Sequence, residues 1–258
     1  MKFNFKKKFG QNFLQDKKVI SDIASSIKPN KNDLIIEIGP GSGALTNELA
    51  KYNCPLLCYE IDTDVKVYLD QINKDNFNVI YDDFLKRDIN NDISNYKYEK
   101  LYIVGNLPYY ITTPIIMHIL DSKVEIENMV FMVQKEVADR FSALPKSKEY
   151  GSISVFLNYY FNVEKLFVVN KNKFYPVPNV DSAVIKFISK KEKLTVDFEK
   201  FNKLVKDSFM MKRKNLRNNL KNYDLDKISN ILAEHGLSLA NRAEDLSYDV
   251  FVDIANKY

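Results

Sequence analysis

Three short stretches of this chain combine residue types and spacings that chemistry can use. Gly39-Pro40-Gly41-Ser42-Gly43 follows the apolar run Leu34-Ile35-Ile36-Glu37-Ile38 and precedes a helical pattern with Leu45 and Leu49 one turn apart. Glycines at such a junction let a ligand approach the backbone, and the helix start beyond adds oriented N–H groups. The spacing is G-x-G-x-G, not the G-x-G-x-x-G that serves a pyrophosphate, which suits a ligand without one such as S-adenosylmethionine. Glycine turns after strands also occur with no ligand role, so the turn alone decides little. Glu60, at the end of a second apolar run, is placed to accept both hydroxyls of a ribose. Asp82-Asp83 closes a third run, where a carboxylate can accept from an adenine amine. If that strand persists, alternation turns Asp82 to the opposite face and leaves Asp83 for the ligand.

A fourth run, Leu101-Tyr102-Ile103-Val104, ends in Gly105-Asn106-Leu107-Pro108-Tyr109, at the carboxyl edge where open α/β sheets place their chemistry. Adenine N6 is a poor nucleophile because its lone pair is delocalised into the ring. Two acceptors on its hydrogens, an amide oxygen and a backbone carbonyl, would draw the nitrogen toward tetrahedral geometry. Asn106 supplies the amide, Pro108 a rigid turn that fixes the carbonyl, and Tyr109 a ring to stack on the base. Neither a metal nor a nucleophilic side chain is required. In isolation Asn106 to Tyr109 could be only a strand-ending turn with a core tyrosine; following a glycine turn, Glu60 and Asp83 in this order, it reads as a methyl-transfer wall.

Short apolar runs alternating with helical patterns from residue 34 to 188 indicate an α/β sheet covered on both faces. Strands are expected at 34–38, 56–60, 79–81, 101–104 and 129–133. Phe161 to Val169 and Val180 to Ile188, separated by Pro176-Val177-Pro178-Asn179, are expected as an antiparallel pair at one edge. Thr113 before Pro114 has the chemistry of a helix start. Ser189-Lys190-Lys191-Glu192-Lys193 reads as a polar linker, beyond which Phe198, Phe201, Leu204, Val205 and Phe209, then Leu225, Ile228, Ile231 and Leu232, keep helical spacing. The boundaries are 1–190 for a catalytic domain and 191–258 for a small all-α domain.

A chain of 258 residues with 45% hydrophobic content can build one substantial core and such an appendage. No apolar run reaches the roughly 18 residues of a membrane span, and the lysine-rich start lacks the apolar stretch of a secretory signal. A cytoplasmic protein is expected. Cys54 and Cys58 have no second pair or neighbouring histidine to complete a zinc site, and His118 and His235 stand alone on expected helices; these read as structural residues, with no metal. The net charge of +4 is unevenly spread: residues 1–18 carry +5, residues 203–221 carry +6 and the remainder −7. Two basic blocks on an acidic body form the footprint of a polyanion such as nucleic acid, although lysine clusters can also be plain solvated surface. Within the second block Lys212, Arg213, Lys214 and Arg217 are dense enough for a phosphate track.

Taken together, these residues resemble the ribosomal RNA adenine dimethyltransferases of the KsgA/Dim type. The resemblance runs through Lys8-Phe9-Gly10-Gln11-Asn12-Phe13-Leu14, Glu37-Ile38-Gly39-Pro40-Gly41, Gly105 to Tyr109, Gln134-Lys135-Glu136-Val137-Ala138, Tyr150-Gly151, Val180-Asp181-Ser182-Ala183-Val184 and Arg242-Ala243-Glu244-Asp245-Leu246-Ser247. It implies a Rossmann-like class I methyltransferase sheet with an antiparallel edge strand. It implies S-adenosylmethionine bound by Asn12, Leu14, Gly39, Gly41, Glu60, Asp83 and Asn106, and a flipped adenine held between Tyr109 and Phe174. It further implies dimethylation of two adjacent adenosines near the 3′ end of small-subunit rRNA late in subunit assembly, by a monomer whose partner is the small-subunit precursor, with no membrane involved. The related macrolide-resistance enzymes, which modify one adenine of large-subunit RNA, typically have isoleucine where Leu107 stands and lack the equivalent of Gly10. A protein acting mainly as an assembly factor is the other alternative. Gly43 varies among such proteins and ranks below Gly39 and Gly41.

Overall fold

A computed structural model describes residues 13–72 and 74–258. Asn12 and the lysines at positions 2 to 8 lie outside the described residues. By contacts the chain forms two compact units, the first comprising the described residues up to Ala138 with Glu164–Ile188, the second Asp139–Val163 with Ser189–Tyr258.

The strands, in chain order, are β1 (Phe13–Leu14), β2 (Leu34–Ile38), β3 (Leu56–Glu60), β4 (Phe77–Tyr81), β5 (Leu101–Asn106), β6 (Asn128–Gln134), β7 (Phe161–Val169), β8 (Phe174–Tyr175) and β9 (Ser182–Ser189). Seven of them make one sheet in the order β4-β3-β2-β5-β6-β9-β7. Pairing is parallel from β4 to β6, and β9 runs antiparallel to β6. The expected α/β class and antiparallel edge are thus both present. Strands β2 and β3 are buried along their whole length, which is why they read as unbroken apolar runs. The chain winds outward one way through β3 and β4 and the other way through β5 and β6. The crevice therefore opens where β2 and β5 end side by side.

Their close approach is enforced by glycine. Gly105 lies opposite Ile38 in the β2–β5 register, and a Cβ at residue 105 would stand 2.6 Å from the Ile38 carbonyl oxygen. A second, two-residue ribbon joins β1 to β8, with Leu14 opposite Phe174. It is tied further by Gln15 N–H donating to Lys173 C=O at 2.9 Å and by Lys173 Nζ reaching Asp16 at 2.5 Å.

Three expectations need correction. The helix after the methyl-transfer wall begins at Thr112, and its cap position is Ile111 with no side-chain cap bond, so Thr113 is not the cap. Pro114 is tolerated because it still falls in the first turn, where N–H groups have no intrahelical acceptor. Strand β4 stops at Tyr81, so alternation does not carry Asp82 to the far face. Finally, residues 139–163, grouped by sequence with the sheet, belong to the second unit. There the helix Ser152–Tyr160 presents Phe156 and Tyr159 to the fully buried Phe201, at ring-centroid distances of 5.7 and 5.2 Å. Helices Phe198–Ser208, Leu225–Glu234 and Tyr248–Lys257 complete that core around Leu232 and Phe251.

Both cysteines are buried and free. His118 bonds the Arg87 carbonyl at 2.9 Å and packs edge-on to Phe84; His235 pairs with Asp253 at 2.8 Å. Among the described residues no helix is long and apolar enough to cross a membrane, and no cluster of His, Cys, Asp and Glu could hold a metal ion.

A carboxyl group is buried inside the sheet. Glu37, in the middle of β2, is only 1% exposed, and burial pushes its carboxyl up to about 7; the Cys58 thiol donates to it at 3.6 Å. A carboxyl that holds its proton more tightly folded than unfolded favours folding below its unfolded pKa, and that contribution disappears as pH rises toward 7. Glu37→Gln should therefore flatten the pH dependence of unfolding, with little change near pH 5 and a gain of about 1–3 kcal/mol at pH 8 in denaturant titrations. Gly105→Ala should destabilise the first unit by about 1–3 kcal/mol, read in the same titrations, because the new methyl group meets backbone that cannot yield.

Candidate active site

A cleft at the carboxyl ends of β2 to β5 brings together most of the residues singled out from the sequence. Its lining includes Leu14, Gly39, Gly41, Glu60, Asp83 and Asn106, with Leu107, Pro108 and Tyr109 on the β5 side. Gly39 and Gly41 adopt φ of +71° and +55°, the left-handed region that favours glycine. A Cβ on Gly41 would come within 3.0 Å of the Phe13 ring, so the missing side chain also admits the ribbon against the turn. Gly43 does not line the cleft; at φ +84° it caps the helix Ala44–Leu49, and a side chain there would press on Ile72 and Leu69.

Glu60 is 5% exposed and is held from both sides. Its Oε2 accepts from Gly41 N–H at 2.9 Å and its Oε1 from Asp62 N–H at 2.8 Å. Burial raises its carboxyl above the usual range, while these backbone bonds oppose the shift. Each oxygen keeps a second lone pair, so the fixed carboxylate can still accept two hydroxyls of a diol. Asp82 and Asp83 both reach the cleft, but Asp82 is paired with Arg87 at 3.4 Å. Asp83 uses Oδ1 on the Leu85 N–H, and among the described residues nothing donates to its other oxygen. Sequence reasoning missed several apolar walls: Phe13, Leu85 and the half-exposed Ile61. Ile61 directly follows Glu60, and that adjacency was the available signal.

On the β5 side the turn sorts its two carbonyls. Pro108 C=O accepts from Ile111 N–H and from the Thr112 hydroxyl, each at 3.2 Å, while Leu107 N–H donates to Met132 C=O at 3.1 Å. No N–H or O–H among the described residues donates to Leu107 C=O. The carbonyl left to accept from a ligand is therefore that of Leu107, held by the following proline. Tyr109 is anchored at its far end, its hydroxyl lying 2.9 Å from the hydroxyl of Ser182, which is wholly buried in β9. Ser182 stood in the sequence only as part of a motif; its partner could be found only from the fold.

Phe174 is not brought to Tyr109. It is 3% exposed, turned inward by the β8 pairing while Tyr175 faces out, and packs in the same apolar cluster as Leu14. It does not line the cleft, and no ring contact joins it to Tyr109. Lys212, Arg213, Lys214 and Arg217 lie in the second unit, all exposed, on the turn after Phe198–Ser208 and at the helix Leu216–Asn219.

Comparison with known proteins identifies the family. Residues 2–258 match the family described as ribosomal RNA adenine dimethylase. A protein from Lactococcus lactis subsp. lactis (strain IL1403), named Ribosomal RNA small subunit methyltransferase A, is 41% identical over 264 residues, covering 98% of this chain and 90% of that protein. The crystal structure of a dimethyladenosine transferase from Plasmodium falciparum superposes with a TM-score of 0.78 at 22% identity, over 94% of this chain and 95% of that one, which speaks to fold alone. The 23S rRNA methyltransferase ErmE superposes with a TM-score of 0.75 at 26% identity, over 95% of this chain and 99% of that one. With a match spanning all but the first residue, the chain belongs to the ribosomal RNA adenine dimethylase family.

Proposed function

We propose that this chain transfers methyl groups from S-adenosylmethionine to N6 of two adjacent adenosines near the 3′ end of 16S-type small-subunit rRNA, two to each, within a late precursor of the subunit. The observation that carries this reading is the β5 turn, where Asn106 and the unclaimed Leu107 carbonyl share one cleft with Glu60 and Asp83.

The cleft suits the cofactor. The doubly anchored Glu60 is matched to a ribose diol, Asp83 Oδ2 to an adenine amine, and Ile61 and Leu85 to the faces of a flat ring. When bound, S-adenosylmethionine supplies an electrophilic methyl group. The chain's own work is positioning. Asn106 and Leu107 C=O accept the two N6 hydrogens, which frees the nitrogen lone pair from the ring. Tyr109, kept in place by Ser182, stacks on the base, a contact worth about 1–3 kcal/mol. Holding the reactants in line can lower the barrier by roughly 7–11 kcal/mol. Phe174 would close a second face only if β8 released it from the ribbon. The exposed cations at 212, 213, 214 and 217 are the proposed phosphate track.

The small-subunit substrate is favoured over the large-subunit one by the relative of 41% identity named for the small subunit, against 26% for the 23S enzyme, and by leucine at position 107. The test is incubation with labelled S-adenosylmethionine and small subunits lacking the modification, followed by mapping of dimethyladenosine. Label at two adjacent adenosines is expected; label confined to large-subunit RNA would overturn the substrate assignment. Glu60→Ala should abolish cofactor binding in calorimetry and leave affinity for the subunit unchanged; loss of both would show that the two functions are not separable.

A further inference from the structure

The second unit holds a cavity that methyl transfer does not use. Its volume of about 610 Å³ falls in the range of small-molecule sites, roughly 300–1,000 Å³. Lys200, Lys203, Met210, Lys221, Tyr223 and Tyr258 supply its chemically distinctive walls.

Charge in the cavity is one-sided. Its single acidic side chain, Asp207, is consumed by Lys203 Nζ at 2.5 Å and by the Tyr223 hydroxyl, which donates to it at 2.6 Å. Lys200 and Lys221 are exposed and have no acid partner among the described residues, so an anion is welcome and a cation is not. The apolar surface is also unusual. Tyr223 and Tyr258 set their rings 5.3 Å apart, and Met210 beside them is 71% exposed, in the middle of a basic stretch. A large apolar side chain left in water among cations is the composition of a surface that receives a base and its phosphate together.

The adjoining basic turn is preorganised. Asn219 accepts from Met211 N–H at 2.9 Å and donates to the carbonyls of Met211 and Lys214 at 3.3 and 3.4 Å, so one side chain clamps the turn that carries Lys212, Arg213 and Lys214. Met210 and Met211, which line the cavity, directly precede the three cations of that turn in the chain.

We propose that this cavity seats one unpaired nucleotide of the RNA strand gripped by the basic turn, with the base against Met210 and the two tyrosines and the phosphate on Lys200 and Lys221. The inference rests on the RNA substrate read above and adds a second base-binding site, remote in function from the one that is methylated. Single-stranded bases offer a flat face to any such wall, so the site recognises an unpaired position rather than a sequence.

The test uses the whole protein and unmodified small subunits, with binding measured across a salt series. Met210→Ser should weaken binding about five- to tenfold with the salt slope unchanged. The double variant Lys200→Glu, Lys221→Glu should lower the slope by about one, the share of the one phosphate it releases. Photo-crosslinking through 4-thiouridine should join an unpaired nucleotide to the segment around Met210 or Tyr223. A cooperative thermal unfolding transition by circular dichroism, matching that of the unaltered chain, certifies that each variant is folded. If both variants bind as tightly as the unaltered chain while the combined variant Lys212→Glu, Arg213→Glu, Lys214→Glu, Arg217→Glu weakens binding, the cavity does not seat a nucleotide. Failure of the underlying RNA reading looks different: the unaltered chain itself would neither bind nor methylate subunits.

Discussion

Two neighbouring strands can end side by side at the crevice because one of them lacks a side chain at residue 105. With any Cβ there, β5 would be forced off the Ile38 carbonyl, and the two loops that leave β2 and β5 would separate. The consequence is visible one residue on, where Gly39 would place a Cβ 3.9 Å from the Asn106 carbonyl oxygen. The glycine turn and the Asn106–Tyr109 turn are thus parts of a single surface. Everything that positions them follows: Gly39 N–H bonds Tyr59 C=O, Gly41 N–H bonds Glu60, and Leu107 N–H bonds Met132 C=O. Backbone groups, rather than long side chains, hold the ends of these strands at the cleft.

The strands of the sheet were legible because burial on both faces leaves little choice of residue. Leu34–Ile38 and Leu56–Glu60 begin and end where their apolar runs do. Glu60 and Asn106, which end β3 and β5, and Asp83, two residues past β4, could be placed at one crevice from order alone, since open α/β sheets gather their strand ends there. What could not be read was anything created by distant pairing. The Ser182–Tyr109 contact spans 73 residues, and the inward turn of Phe174 depends on pairing with Leu14. Carbonyl choice at the wall was hidden for a similar reason: Pro108 is taken by Ile111 and Thr112 only because the helix starts where it does.

The second unit shows the same division. Helical periodicity identified Phe198 to Phe209 and Leu225 to Leu232, but Ser152–Tyr160 is apolar on most of its circumference, and such a run does not reveal which partner it packs against. The basic block was evident as composition. That its central turn is wired by Asn219, and that Asp207 is already spoken for, are properties of geometry. Counting charges gives the sign of a partner, whereas the pairing of those charges decides where that partner can rest.

The ribbon of β1 and β8 has a consequence in time. Phe13 and Leu14 wall the cleft, yet what holds them, the Phe174–Tyr175 strand with Lys173 beside it, is made some 160 residues later. A chain synthesised from its N-terminus carries an open-sided cleft until that segment emerges, with the whole of 139–163 laid down in between. Tight capture of a ligand is in this way deferred to a late stage of building the first unit, when Phe13 and Leu14 at last meet their partners.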